Sequence, residues 1–70
     1  MKIVYDADVD AAYIYLAEQI DAGGVARTVM VDAVARDAMI NLDFDHDGRL
    51  VGIEVMDASK HLPLELLHHT

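Results

Sequence analysis

Met39-Ile40-Asn41-Leu42-Asp43-Phe44-Asp45-His46-Asp47-Gly48-Arg49-Leu50-Val51-Gly52-Ile53-Glu54-Val55-Met56 is the stretch that decides the fold. Ile40, Leu42 and Phe44 alternate with Asn41 and Asp43, and Val51, Ile53 and Val55 alternate with Gly52 and Glu54, so each half reads as a strand with one apolar and one polar face. Asp47-Gly48 lies between the halves, and an Asp-Gly pair flanked by alternating hydrophobics is among the strongest short-range hairpin signals. A two-residue type I′ turn pairs His46 with Arg49. It then sets Phe44 opposite Val51, Leu42 opposite Ile53, Ile40 opposite Val55 and Asn41 opposite Glu54, so apolar meets apolar along the whole ladder. A three-residue loop would oppose Asp43 to Val51 and mix the faces, which argues against it.

Three more strands are expected upstream. Lys2 to Tyr5 places Ile3 and Tyr5 on one face and Val4 on the other, and it stops at the acids Asp6, Asp8 and Asp10, which read as a solvated turn. A single helical turn near Val9 to Ala11 leads into a strand from Ala12 to Ala17. Gly23-Gly24 breaks the chain before a third strand from Val25 to Val31. Asp32 to Asp37 connects that strand to the hairpin. At the far end Pro63 stands where a helix would begin, and Leu64 and Leu67 share one helical face. The expected fold class is α+β, a small antiparallel β-meander of about five strands with a short C-terminal helix.

Size and composition limit the functions available. Seventy residues hold one core, so residues 1–70 are read as one domain. The sequence contains no cysteine, which removes disulfides and thiolate metal sites as supports. A core of this size supplies only about 3–5 kcal/mol unaided, and burying part of the sheet against a second copy is one remedy, so a homodimer is expected. Thirteen acids against five Lys and Arg give a formal charge of −8, which repels a phosphate backbone and speaks against nucleic-acid binding. The apolar residues, 54% of the chain, never run to the roughly 20 in succession that span a bilayer as a helix, so no membrane role is expected. The opening Met1 to Asp10 shows no signal-peptide pattern, which gives a cytoplasmic location by default.

Residues 43–54 also satisfy the calcium-loop pattern of an EF-hand, with Asp43, Asp45 and Asp47 as oxygen donors, Gly48 at the sharp turn and Glu54 as the closing ligand. Such a loop needs a helix on each side, and both flanks here have the period of a strand. His68-His69 reads as a solvated tail, and Ser59, the single serine, as a loop or helix-cap residue rather than a nucleophile. Gly23-Gly24 lacks the rest of a phosphate-binding loop. No catalytic residue, cofactor or metal site is assigned, and no enzyme is expected. Asp43, Asp45, Asp47 and Glu54 are the candidate partner-binding residues, an acidic set suited to steering a small basic protein. Two alternatives remain, a cation-binding protein that uses the acidic hairpin from Asp43 to Glu54 and an enzyme with an unrecognised pocket.

The order of several pieces is that of a known family. Lys2 to Asp6 reads K-I-x-Y-D, Asp10 to Leu16 reads D-A-x-Y-I-x-L, Asn41 to Glu54 reads N-L-D-F-D-x-D-G-R-L-V-G-I-E, and Val55 to Lys60 reads V-x-D-A-S-K. The chain resembles the YuzE-like family of small bacterial proteins, a domain of unknown function, over about residues 1 to 62. The resemblance implies a compact antiparallel sheet with little helix and brings no catalytic residues. Members are often encoded beside small RelE-like toxin candidates, which implies an antitoxin-like accessory bound to a basic partner. Ala7 stands where that family often has proline, and the alanine-rich stretch Ala33 to Ala38 departs from its usual acids and glycine.

Overall fold

A computed structural model describes residues 1–31 and 39–68. The expected connection from Asp32 to Asp37, the stretch Ala33 to Ala38 and His69 lie outside the described residues. Among the described residues there are five strands, β1 (Lys2–Asp6), β2 (Ala11–Tyr15), β3 (Arg27–Val31), β4 (Met39–Phe44) and β5 (Leu50–Met56). Two short helices follow, α1 (Ala58–His61) and α2 (Leu64–Leu67). All four strand pairings are antiparallel and the spatial order is β1-β2-β5-β4-β3, so β3 to β5 form a meander whose last strand returns to pair with β2. The fold class is α+β, as expected. The expected terminal helix is α2, which Pro63 (φ −54°, ψ 129°, an extended backbone) precedes rather than opens, and α1 is a further helix that the sequence reading did not include.

The hairpin register differs from the expected one in one place. Asp45 N–H donates to the Arg49 carbonyl (2.9 Å) and Gly48 N–H to the Asp45 carbonyl (3.0 Å), which closes a three-residue loop over residues 46–48. A type I′ turn would need positive φ at both Asp47 and Gly48, whereas only Gly48 has it here (φ 81°). The Asp45 carboxylate explains the preference, since its Oδ1 accepts the backbone N–H groups of Asp47 and Arg49 (both 2.9 Å). Phe44 therefore faces Leu50 rather than Val51, and a bulge restores Asp43 to Gly52, Leu42 to Ile53, Asn41 to Glu54 and Ile40 to Val55. The mixing of faces that argued against this loop is removed by one extra residue in β5.

The helix-side face carries two cross-strand apolar rows. Tyr5, Ala12, Val55, Ile40 and Val31 form one, and Ile3, Ile14, Ile53, Leu42 and Val29 the other. Both helices belong to the first row: Ala58 and Leu67 are buried with Ala12 and Val55, and Tyr5, Ile40, Ile53 and Leu62 pack around them. Alanine at 12 and at 58 leaves room for α1 to approach the sheet closely.

Asp10 fixes that approach. It adopts left-handed backbone (φ 53°), its carbonyl accepts the Ala58 N–H (2.9 Å), and its carboxylate accepts Tyr5 Oη (2.7 Å), Ser59 N–H (3.0 Å) and Ser59 Oγ (2.7 Å). The acidic run is thus more than a solvated turn, and Ser59 is the anchor of α1. The Tyr5 hydroxyl first, and then that of Ser59, hold the Asp10 carboxyl below its ordinary range. A depressed folded-state pKa contributes stability that is present above the unfolded value of about 4 and is lost as pH falls through the folded one. The Asp10→Asn variant is expected to melt lower than the native chain at pH 7 and to lose less on acidification, so that the two melting curves converge as the Asp10 carboxyl becomes protonated. A gap between them that stays constant on acidification in circular dichroism melts would show that the carboxylate does not carry the contact.

Candidate functional site

The opposite face of the sheet bears no helix among the described residues and carries the hydrogen-bonded side chains Tyr13, Thr28, Asn41, Asp43 and Glu54. Alternation places Lys2, Tyr15, Gly52, Asp43 and Thr28 in one cross-strand row there. Val4, Tyr13, Glu54, Asn41 and Met30 make the next row. The two rows are joined through Gly52. A Cβ at this position would collide with the Tyr13 hydroxyl and Cζ and would stand 2.7 Å from Cε2, so the Tyr13 ring lies directly over the glycine.

From there Tyr13 Oη donates to Asp43 Oδ2 (2.7 Å), while Thr28 Oγ1 donates to Asp43 Oδ1 (2.6 Å). Asn41 Nδ2 donates to Glu54 Oε1 (2.9 Å), in the register expected from the sequence. Tyr13 and Tyr15 meet edge to face with ring centroids 4.8 Å apart, and Lys2 Nζ stands 4.8 Å from the Tyr15 centroid. A continuous chain of contacts therefore runs from Lys2 on the β1 edge to Thr28 on the β3 edge. Burial, then the hydrogen bond to Asp43, then the charges of Asp43 and Glu54 push the Tyr13 phenol far above its ordinary range. It remains a neutral donor that holds Asp43 in place.

The four acids read from the sequence separate into two groups. Asp43 and Glu54 are diagonal neighbours on the open face, half-exposed and braced by their donors. Asp45 is occupied in building the turn, and Asp47 is exposed at its tip beside His46, whose Nε2 lies 2.9 Å from the Gly23 carbonyl. Among the described residues no three His, Asp or Glu side chains come together as a metal-binding group, and residues 43–54 form strand, turn and strand rather than a loop between helices. Tyr13, Thr28 and the Lys2–Tyr15 pair were not legible as site residues. Their relation to Asp43 depends on β2 pairing with β5 and β3 with β4, which no local signal announces.

A family model described as protein of unknown function (DUF2283) matches residues 2–59. The chain belongs to that family. No similar chain was found among curated proteins or among solved structures. The DUF2283 match takes in the whole sheet, both rows of the open face and the Asp10–Ser59 contact, and it stops before α2. No helix among the described residues of this DUF2283 chain is long and apolar enough to cross a membrane.

Proposed function

We propose that the chain is a non-enzymatic interaction module that holds a Lys- or Arg-bearing segment of a small basic protein on the open face of its sheet. The observation that carries this reading is the pair Asp43 and Glu54, whose carboxylates are fixed by Tyr13, Thr28 and Asn41 on an otherwise helix-free surface. Fixed acceptors lose little side-chain freedom on binding, so more of the charge attraction is retained as affinity. The ring pair Tyr13–Tyr15 supplies faces for a cation, and Lys2 over Tyr15 is an intramolecular instance of that contact. Exposed Val4, Met30 and Met39 border the acids and offer contacts to the stem of a long basic side chain. The YuzE-like resemblance, with its toxin-like neighbours, agrees with an antitoxin-like accessory acting in the cytoplasm.

The test is affinity capture of the tagged chain and of its Asp43→Lys/Glu54→Lys variant from the native lysate, at low and at high salt. A small basic protein should be retained by the native chain at low salt and released at high salt, and the variant should bind it at least tenfold more weakly. A partner that stays bound to the variant with unchanged salt sensitivity would refute the assignment.

A further inference from the structure

Resting on the acidic-face reading above, we infer that the partner's basic segment docks as an added strand along the free edge of β3, with its Lys or Arg side chains turned over the open face toward Asp43 and its aliphatic ones beside Val29. Pairing with β4 uses one side of β3, and the other side presents alternate N–H and C=O groups with no strand beyond them among the described residues. The two edges of the sheet differ in protection. β1 has α2 packed against it and carries a charge at each end, Lys2 and Asp6, and both devices discourage strand addition. β3 has neither. It contains no proline or glycine, pairs with β4 without a register shift, and is exposed from Arg27 to Met30. Its one charged side chain, Arg27, belongs to the helix-side face, where the guanidinium stands 5.5 Å from the Phe44 ring centroid.

The side chains along this edge specify what pairs with it. Alternation gives the open face Thr28 and Met30, and the other face Val29 and Val31. A residue opposite Thr28 on an added strand would stand two strand spacings, roughly 10 Å, from the Asp43 backbone, a gap that an extended Lys or Arg side chain and the Asp43 carboxylate close between them. The donors on that carboxylate among the described residues, Tyr13 and Thr28, are neutral hydroxyls, so its charge is left for a cation to meet. The formal charge of −8 favours a basic segment over an acidic one, and Val29, 36% exposed, offers an aliphatic contact on the opposite face. The occupant is therefore an extended segment in which Lys or Arg alternates with aliphatic residues, held by main-chain hydrogen bonds and selected by its side chains.

A synthetic peptide of alternating lysine and valine is the probe, added to the full chain and followed by amide NMR and hydrogen exchange. The amide signals of Thr28 to Val31 should shift and their outward N–H groups should exchange more slowly, while those of Ile3 to Tyr5 stay as they are. The same peptide methylated on its backbone nitrogens keeps its charge but has no N–H to donate, and it should bind about tenfold more weakly or worse. Met30→Lys, at an exposed position on the edge itself, should weaken binding about tenfold through repulsion, and Val9→Lys, which adds the same charge in the exposed turn after β1, should leave it nearly unchanged. Equal binding of the methylated peptide, with shifts at Tyr13, Asn41 and Glu54 and none along β3, would overturn the edge and leave the acidic face as the site. Protection of β3 that persists in the Asp43→Lys/Glu54→Lys variant would instead overturn the acidic-face reading, and with it the turning of the basic side chains toward Asp43. Failure of the unmodified peptide to bind would overturn the inference outright.

Discussion

Replacing Gly52 by valine is expected to lower the thermal midpoint by on the order of 10 °C, corresponding to about 2 kcal/mol in a domain of this size. Valine is the better strand former, so propensity alone predicts the opposite sign. The collision decides it, because the new side chain would occupy the space now filled by the end of the Tyr13 ring. Tyr13 must then swing away, which removes the donor on Asp43 Oδ2 and the edge-to-face contact with Tyr15. A double-mutant cycle isolates this cause. With Tyr13→Ala already in place, Gly52→Val should become neutral or stabilising, since the obstructing ring is gone. An equal loss in both backgrounds, measured by thermal melts, would place the cost in the backbone and detach Gly52 from the site. The same substitution should weaken partner capture, because among the described residues Asp43 then keeps Thr28 alone as a side-chain donor.

Leu67→Ala is expected to cost about 3 kcal/mol, within the range for truncating a buried leucine. Leu67 is 5% exposed and is the largest side chain in the buried cluster, whose other members are two alanines and a valine. Set against a core that supplies only about 3–5 kcal/mol, this loss leaves a substantial unfolded fraction at 37 °C. Urea denaturation followed by circular dichroism measures it directly. An unchanged midpoint would mean that α2 is not part of the cooperative core. Leu67 lies beyond the stretch matched by the family, so an element outside the DUF2283 region supplies part of the core beneath it.

The sequence by itself determined the strands to within two residues at their ends, their faces and most of the final hairpin, but not the helical turn expected near Val9 to Ala11, where Ala11 opens β2 instead. Period-two alternation at Ile40, Leu42, Ile53 and Val55 is a local property, and a shift of one residue would have turned every apolar side chain to the wrong face. Asn41 opposite Glu54 followed from the same rule and is observed. The loop was less legible, because the expected turn took account of Asp47 and Gly48 while the Asp45 carboxylate, bound to two backbone N–H groups, favoured a different one. The bulge in β5 then absorbed the mismatch.

Only the tertiary structure decided which strands neighbour one another and hence which distant residues meet. Pairing of β2 with β5 brings Tyr13 over Gly52 and within reach of Asp43, thirty positions away in the chain. The contact of Asp10 with Ser59 spans forty-nine positions and depends on the turn after β5 reaching the turn before β2. Residue spacing reports the face on which a side chain lies, because that is fixed by its own backbone. It does not report the partner across the sheet, because that is fixed by the packing of strands whose edges expose the same backbone donors and acceptors.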